Sequence, residues 1–227
     1  MSIGVSTDYL GLATTNLKVT NAAENATINT AEAVNERGDI VARATYESLT
    51  APSCEYTVCG DYDMTTFALG ELKATDFIIN GFTISTAGGT APKVTATAGL
   101  VTSGAVEGYT YPNPAFTLKS AFEAQALFAA FALTADEDNY IQSCNATGQC
   151  SLPRGLDESG ETCAFDVSGA TIEVTAEICM LSSTVPTITP AANWTVTSPA
   201  TPTETNTAYT IYSITLRYTP AAVAASA

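Results

Sequence analysis

The sequence predicts a mainly β protein: a single β-sandwich or barrel-like domain with one buried α-helix and extended loops or arms. Three observations lead there. Several stretches alternate apolar and polar residues with the period of a strand, most clearly Phe82, Ile84 and Thr86, and again Tyr209 to Tyr218. Threonine, β-branched and at home in extended backbone, recurs through these stretches. Only one segment, Phe122 to Leu133, reads as a helix.

In chain order, residues 1–20 read as an N-terminal arm with short extended pieces, 21–220 as one β-rich domain, and 221–227 as a flexible tail of small residues. Ala22 to Val34 mixes helix-favouring Ala and Glu with strand-favouring Thr, Ile and Val. Asn35 to Asp39 is a polar break in which Gly38 supplies a turn position, and Ile40 to Tyr46 returns as a strand. The pair reads as two strands around a turn. Strand signals continue through Tyr56–Val58 and Met64–Leu69. A clearer hairpin follows, Asp76 to Thr86, turning through Ala87 to Pro92 and back along Lys93 to Gly99. The glycines of that turn lack the Gly-Lys-Ser/Thr ending of a phosphate loop.

Ser120 and Glu123 are spaced as a capping box at the start of the helix. Its packing residues are Phe122, Leu127, Phe128 and Phe131, and nearly every other position is alanine, so it is expected to be buried on several sides. Tyr140 to Cys163, rich in Gly, Asn and charge, reads as a loop. Phe165 to Cys179 reads as a strand. In the Pro- and Thr-rich stretch from Ser182 to Thr207, Pro186, Pro190, Pro199 and Pro202 exclude a central strand and leave an edge strand, an arm or a long loop. Tyr209 to Tyr218 closes the fold.

Charge narrows the functions. The chain carries 23 acidic and 8 basic residues, a net charge of −15, and the basic residues are spread singly. Gripping a phosphate backbone takes clustered Lys and Arg, so no specific nucleic-acid binding is expected. An acidic surface suits passage of nucleic acid rather than a clamp, and equally keeps a free subunit soluble. Charged residues are only 14% of the chain, below the roughly 25% of ordinary globular proteins. An exterior so sparse in charge fits a secreted β protein or a subunit that hides its surface in an assembly.

There is no histidine, which removes the commonest general base and metal ligand. The remaining carboxylate groupings are Asp61 with Asp63 and the run Asp136, Glu137 and Asp138, spacings that any turn produces. Asp136 to Asn139 and Asp157 to Glu161 are oxygen-rich but do not follow the twelve-residue calcium-loop pattern, and read as solvated loops. No enzymatic role, metal or cofactor is expected. Of the six cysteines, Cys54 and Cys59, like Cys144 and Cys150, lack the two-residue spacing of a zinc knuckle. Cys144 and Cys150 form the candidate disulfide, closing the small loop Asn145 to Gln149; buried free thiols are the alternative. The first residues show no basic and apolar leader, and Ala121 to Leu133 is shorter than the ~20 residues of a bilayer span. No membrane association is expected, and the three Asn-x-Thr sequons at Asn25, Asn145 and Asn193 read as chance.

A hairpin-like segment from Asn21 to Tyr46, the strand pair Phe77 to Thr86 and Ala91 to Thr97, one buried helix and a closing strand follow one another here. In this arrangement the chain resembles the tail-tube (major tail) proteins of tailed phages and related injection machines. The resemblance implies a non-enzymatic virion structural protein, made in the host cytoplasm. Its subunits form rings, the inner strands merge into a continuous barrel, and stacked rings form the tube for DNA passage. Partners would be copies of itself and other virion tail proteins. Glu24, Glu32, Glu36, Asp39 and Glu47, on the candidate hairpin, would face the lumen, where like charge keeps DNA from adhering. The alternative is a β-sandwich display module: a capsid decoration protein, head fibre or cell-surface adhesin that uses the Tyr140 to Cys163 loop for recognition.

Overall fold

The computed structural model describes residues 7–73, 77–100, 105–122, 125–131, 139–158, 162–181 and 185–224. The chain is mainly β. The first strands are β1 (Leu17–Val34), β2 (Ile40–Val58), β3 (Tyr62–Asp63), β4 (Ala68–Leu69) and β5 (Leu72–Lys73). Next come β6 (Phe77–Ala87), β7 (Lys93–Leu100), β8 (Ala105–Pro112) and β9 (Thr117–Leu118). The chain closes with β10 (Asn139–Ser151), β11 (Arg154–Leu156), β12 (Thr162–Met180), β13 (Trp194–Thr205), β14 (Thr210–Tyr218) and β15 (Val223–Ala224).

The long strands form one large sheet in the order β1-β2-β7-β6-β10-β12-β14-β13, with every neighbour antiparallel. Alternation decides which way each strand faces. Phe82 and Ile84 of β6, Val94, Ala96 and Ala98 of β7, Ile172, Val174, Ala176 and Ile178 of β12, and Tyr212, Ile214 and Leu216 of β14 are buried on one side. The opposite side is a plain of hydroxyls. Thr83, Thr97 and Thr147 are exposed there, the hydroxyls of Thr175 and Thr215 meet at 2.9 Å, and the ion pairs Glu55–Lys93 and Glu173–Arg217 cancel their own charge.

A second set of pairings branches from β12. Its first half, Ala164 to Val167, runs parallel to β8, which also pairs β4 and β15, while its second half pairs β10 and β14. Gly169 stands between the halves with φ +55°, a left-handed conformation that lets the strand turn from one set of neighbours to the other. Its N–H donates to Tyr111 Oη at 2.9 Å. The core lies between, filled by Leu10, Leu17, Tyr56, Phe67, Leu118 and Phe131 among others. Phe67 meets the edge of Phe82 at 5.7 Å and 88°.

Several expectations change here. Of the helix expected over Phe122–Leu133, the described part is a 3-10 helix, Ala126–Phe131. Leu127 and Phe131 are buried as expected, and half-buried Phe128 packs against Phe122 at 5.2 Å. Gln125 ties down the entry: Lys119 N–H donates to its Oε1 at 3.1 Å, and its Nε2 donates to the Ala121 carbonyl at 3.2 Å. Glu123 and Leu133 lie outside the described residues.

The loop expected from Tyr140 begins instead as the thirteen-residue strand β10, in the middle of the sheet. Its inward positions, Cys144, Ala146 and Gly148, are too small to announce a hydrophobic alternation. This also removes the candidate disulfide. Cys144 and Cys150 lie six residues apart along one extended strand, about 20 Å at strand rise, and both are free thiols. Over the described residues of the N-terminal arm, Leu10 and Leu12 are buried. Asp8 fastens it, accepting from Gly11 N–H at 3.0 Å, Ala13 N–H at 2.8 Å and the Tyr56 hydroxyl at 2.6 Å. Within the expected C-terminal tail, Val223–Ala224 pairs with Tyr109 and Thr110.

Candidate functional site

The feature that sets this molecule apart is the β1–β2 hairpin. Its two strands pair from Leu17–Val58 at the base to Val34–Ile40 at the tip. Only the base, Ser53 to Thr57 of β2, is joined to the next strand, β7. Beyond it a bare two-stranded ribbon projects roughly 35 Å, from eleven residues of strand at ~3.3 Å each.

The tip is built by Asn35. Its side-chain oxygen accepts from Arg37 N–H and Asp39 N–H, each at 2.9 Å, and Gly38 (φ +87°) closes the turn. Just below the tip sit Val34, Ile40 and Val41, 61%, 51% and 62% exposed. The other described side chains along the ribbon are mostly small: Ala23, Ala31, Ala33, Ala42 and Ala44 are all exposed.

Of the five acidic residues expected on this hairpin, Glu24, Glu32, Glu36 and Asp39 are exposed on it, whereas the side chain of Glu47 lies outside the description. Glu32 is neutralised by Arg43 across the strands at 2.5 Å. Asp39 also accepts from Asn35 Nδ2 at 3.2 Å.

The opposite margin of the sheet carries the complementary feature. β13 is the outer strand there, its pairing with β14 interrupted by three irregularities, with Pro199 and Pro202 in its length. Prolines and bulges blunt an edge against pairing with a further strand. Beside it runs a groove of ≈ 250 Å³, lined by Val185, Pro186, Ile188, Val196, Ala200 and Ile214. Its lining carries no charged side chain. Val185 and Val196 are 53% and 42% exposed. Here the apolar side of the sheet runs out beyond its cover. The sequence hid this groove, because its residues come from a proline-rich stretch that reads as mere connection.

A second depression, ≈ 330 Å³, lies over the hydroxyl-rich side and is lined by Asn80, Thr83, Thr95, Thr97, Thr147 and Gln149 among others. Thr97 Oγ1 donates to Asn80 Oδ1 across it at 3.0 Å. The carboxylates singled out from sequence are engaged elsewhere. Asp61 pairs with Lys119, and Asp63 caps a 3-10 turn by accepting from Thr65 N–H at 2.9 Å. Asp136, Glu137 and Asp138 lie outside the described residues. Among the described residues no three Cys, Asp or Glu side chains gather as a metal site, and no helix is long and apolar enough to cross a membrane.

The thiols are held in reserve. Burial pushes Cys144 up to about 12 and Cys150 up to about 11, so both stay protonated at neutral pH. Hydrogen bonds from Lys93 and Thr20 hold the Glu55 carboxyl below its usual range, and burial raises the Tyr56 phenol. The buried thiols and phenol ionise more readily in the unfolded chain than in the folded one. The stability they contribute is therefore whole below the ordinary thiol value of about 9 and drains as pH rises toward about 12. The urea midpoint is expected to fall steeply between pH 8.5 and pH 11, and less steeply in Cys144→Ala. Equal slopes in the two proteins would refute this.

No protein-family model matches the chain, and no curated protein does.

Proposed function

We propose that this protein is a self-assembling structural subunit of a virion, forming rings that stack into a phage-type tail tube through which DNA passes. The observation that carries the reading is the projecting β1–β2 ribbon. An isolated two-stranded hairpin is marginal in water, and this one leaves its own sheet after Ser53 with aliphatic side chains exposed near its end. A ribbon of that kind gains most when another molecule covers it. The sheet has two ends, β1 and β13, so one subunit can offer a different surface to each neighbour, as ring closure requires.

In the assembled tube, the exposed carboxylates of Glu24, Glu36 and Asp39 would give part of the channel wall a negative charge that repels DNA phosphate. Subunits at the ends of the tube would meet other tail proteins. No reaction is assigned to the chain: its role is a barrel-like wall built from merged sheets, made in the host cytoplasm and carried in the virion. The display-module alternative relied on a recognition loop from Tyr140, and the first half of that segment is β10.

Electron microscopy of the purified protein at increasing concentration tests the proposal. Rings or tubes with an open lumen are expected. Isolated particles at every concentration and salt would sink it.

A further inference from the structure

Resting on the self-assembly reading, we infer that the contact between subunits is heterologous: the β1–β2 ribbon of one copy seats its tip in the apolar groove beside β13 of the next. Three observations point to this pairing. The ribbon and the groove stand at opposite ends of the strand order, so a copy whose ribbon is seated in one neighbour still presents its own groove at the far end to another. Such a contact propagates, and becomes a ring when its rotation closes. The two surfaces also match in chemistry. Val34, Ile40 and Val41 are the exposed large aliphatic side chains among the described residues of the ribbon, and the groove lining, Val185, Ile188, Val196 and Ile214 among it, is uncharged.

The area suffices as well. A ribbon roughly 35 Å long and about 10 Å wide presents about 350 Å² on each face. Covering both faces, about 700 Å² in all, approaches the ~800 Å² per partner of a stable interface. Small side chains along the ribbon, Ala31, Ala33, Ala42 and Ala44, let a neighbour's surface come close to the backbone. Simple strand addition at β13 is disfavoured, because Pro199 lacks a backbone donor, as does Pro202, and the irregular register breaks the ladder. The neighbour is held by side-chain burial in the groove instead.

Two variants and their mixture test this. Val34→Asp with Val41→Asp spoils the tip, and Val185→Asp with Val196→Asp spoils the groove. All four positions are substantially exposed, so both variants are expected to melt within a few degrees of the native chain. Each alone should sediment as a monomer under conditions where the native chain assembles. Mixed in equal amounts they should form a one-to-one pair and nothing larger, since one sound ribbon and one sound groove remain between them. A second measurement does not depend on weakening anything. In a Cys59→Ser background, Val41→Cys with Val196→Cys should give intermolecular disulfide-linked ladders on oxidation, and either substitution alone should give none.

If the native chain assembles and both double variants assemble equally well, the ribbon-to-groove contact is wrong while the subunit reading stands. If the variants stay monomeric but their mixture does not pair and no cross-linked ladder forms, the two surfaces do not meet each other. A native chain that stays monomeric throughout overturns both this inference and the assembly it rests on.

Discussion

A chain in which Glu24–Pro52 is replaced by Asn-Gly, joining Ala23 to Ser53 through a two-residue turn, is expected to fold and melt like its parent yet never assemble. Ala23 and Ser53 are paired in the native register, so the new turn closes an existing ladder in the geometry that two-residue hairpins favour. Everything that holds the base survives. Val19 still faces Tyr56, Ser53 to Thr57 still pair β7, and buried Leu17, Cys54, Tyr56 and Val58 keep their places. Among the described side chains of the excised ribbon only Pro52 is buried, so its loss should shift unfolding by no more than about 1 kcal/mol. Thermal melts paired with sedimentation velocity read both halves of this result. Tubes formed without the ribbon would remove the observation on which the assembly proposal stands.

A large single-residue effect is expected at Gly148, within β10 and paired with Phe82 of β6. A Cβ there would lie 2.2 Å from Phe82 Cε1 and 2.5 Å from Cζ. No real contact is that short, so the ring, itself buried and edge-on to Phe67, must leave its place. Overpacking of this kind costs about 1–3 kcal/mol, and Gly148→Ala should sit at the upper end. Phe82→Ala should cost about 3–5 kcal/mol by opening a cavity. In the double variant the new methyl occupies part of the vacated space, so the combined loss should fall short of the sum by about 1 kcal/mol or more. Urea midpoints of the four proteins close the cycle. Strict additivity would mean that Phe82 does not lie over Gly148.

How much of this could be read from sequence varied with side-chain size. β6, β7, β12 and β14 were legible because large residues such as Phe82, Ile84, Ile172 and Ile214 alternate with Thr and Ser. The hairpin between Asn21 and Tyr46 was legible from its turn, where Asn35 and Gly38 do the work that their residue types suggest. β10 was not legible: Cys144, Ala146 and Gly148 fill its buried positions because Phe82 and its neighbours already occupy the volume opposite. A strand whose inward side chains are small looks like a loop to any hydrophobic count. The helix was legible as an apolar element, but not as a 3-10 segment whose entry is set by Gln125. Of the two surfaces proposed to meet, the ribbon could be placed from its strands and the groove could not, since Val185, Val196 and Ile214 become neighbours only through tertiary folding.

Strand β12 runs through both hydrogen-bonded systems without a break, turning at Gly169 from β8 and β11 to β10 and β14. No seam can be drawn that separates the two systems without tearing this strand from its partners. A subunit threaded on such a spine yields to heat or tension as a whole, giving one sharp melt rather than a stepwise loosening. In the proposed tube, that all-or-nothing toughness would suit a brick in a wall under load.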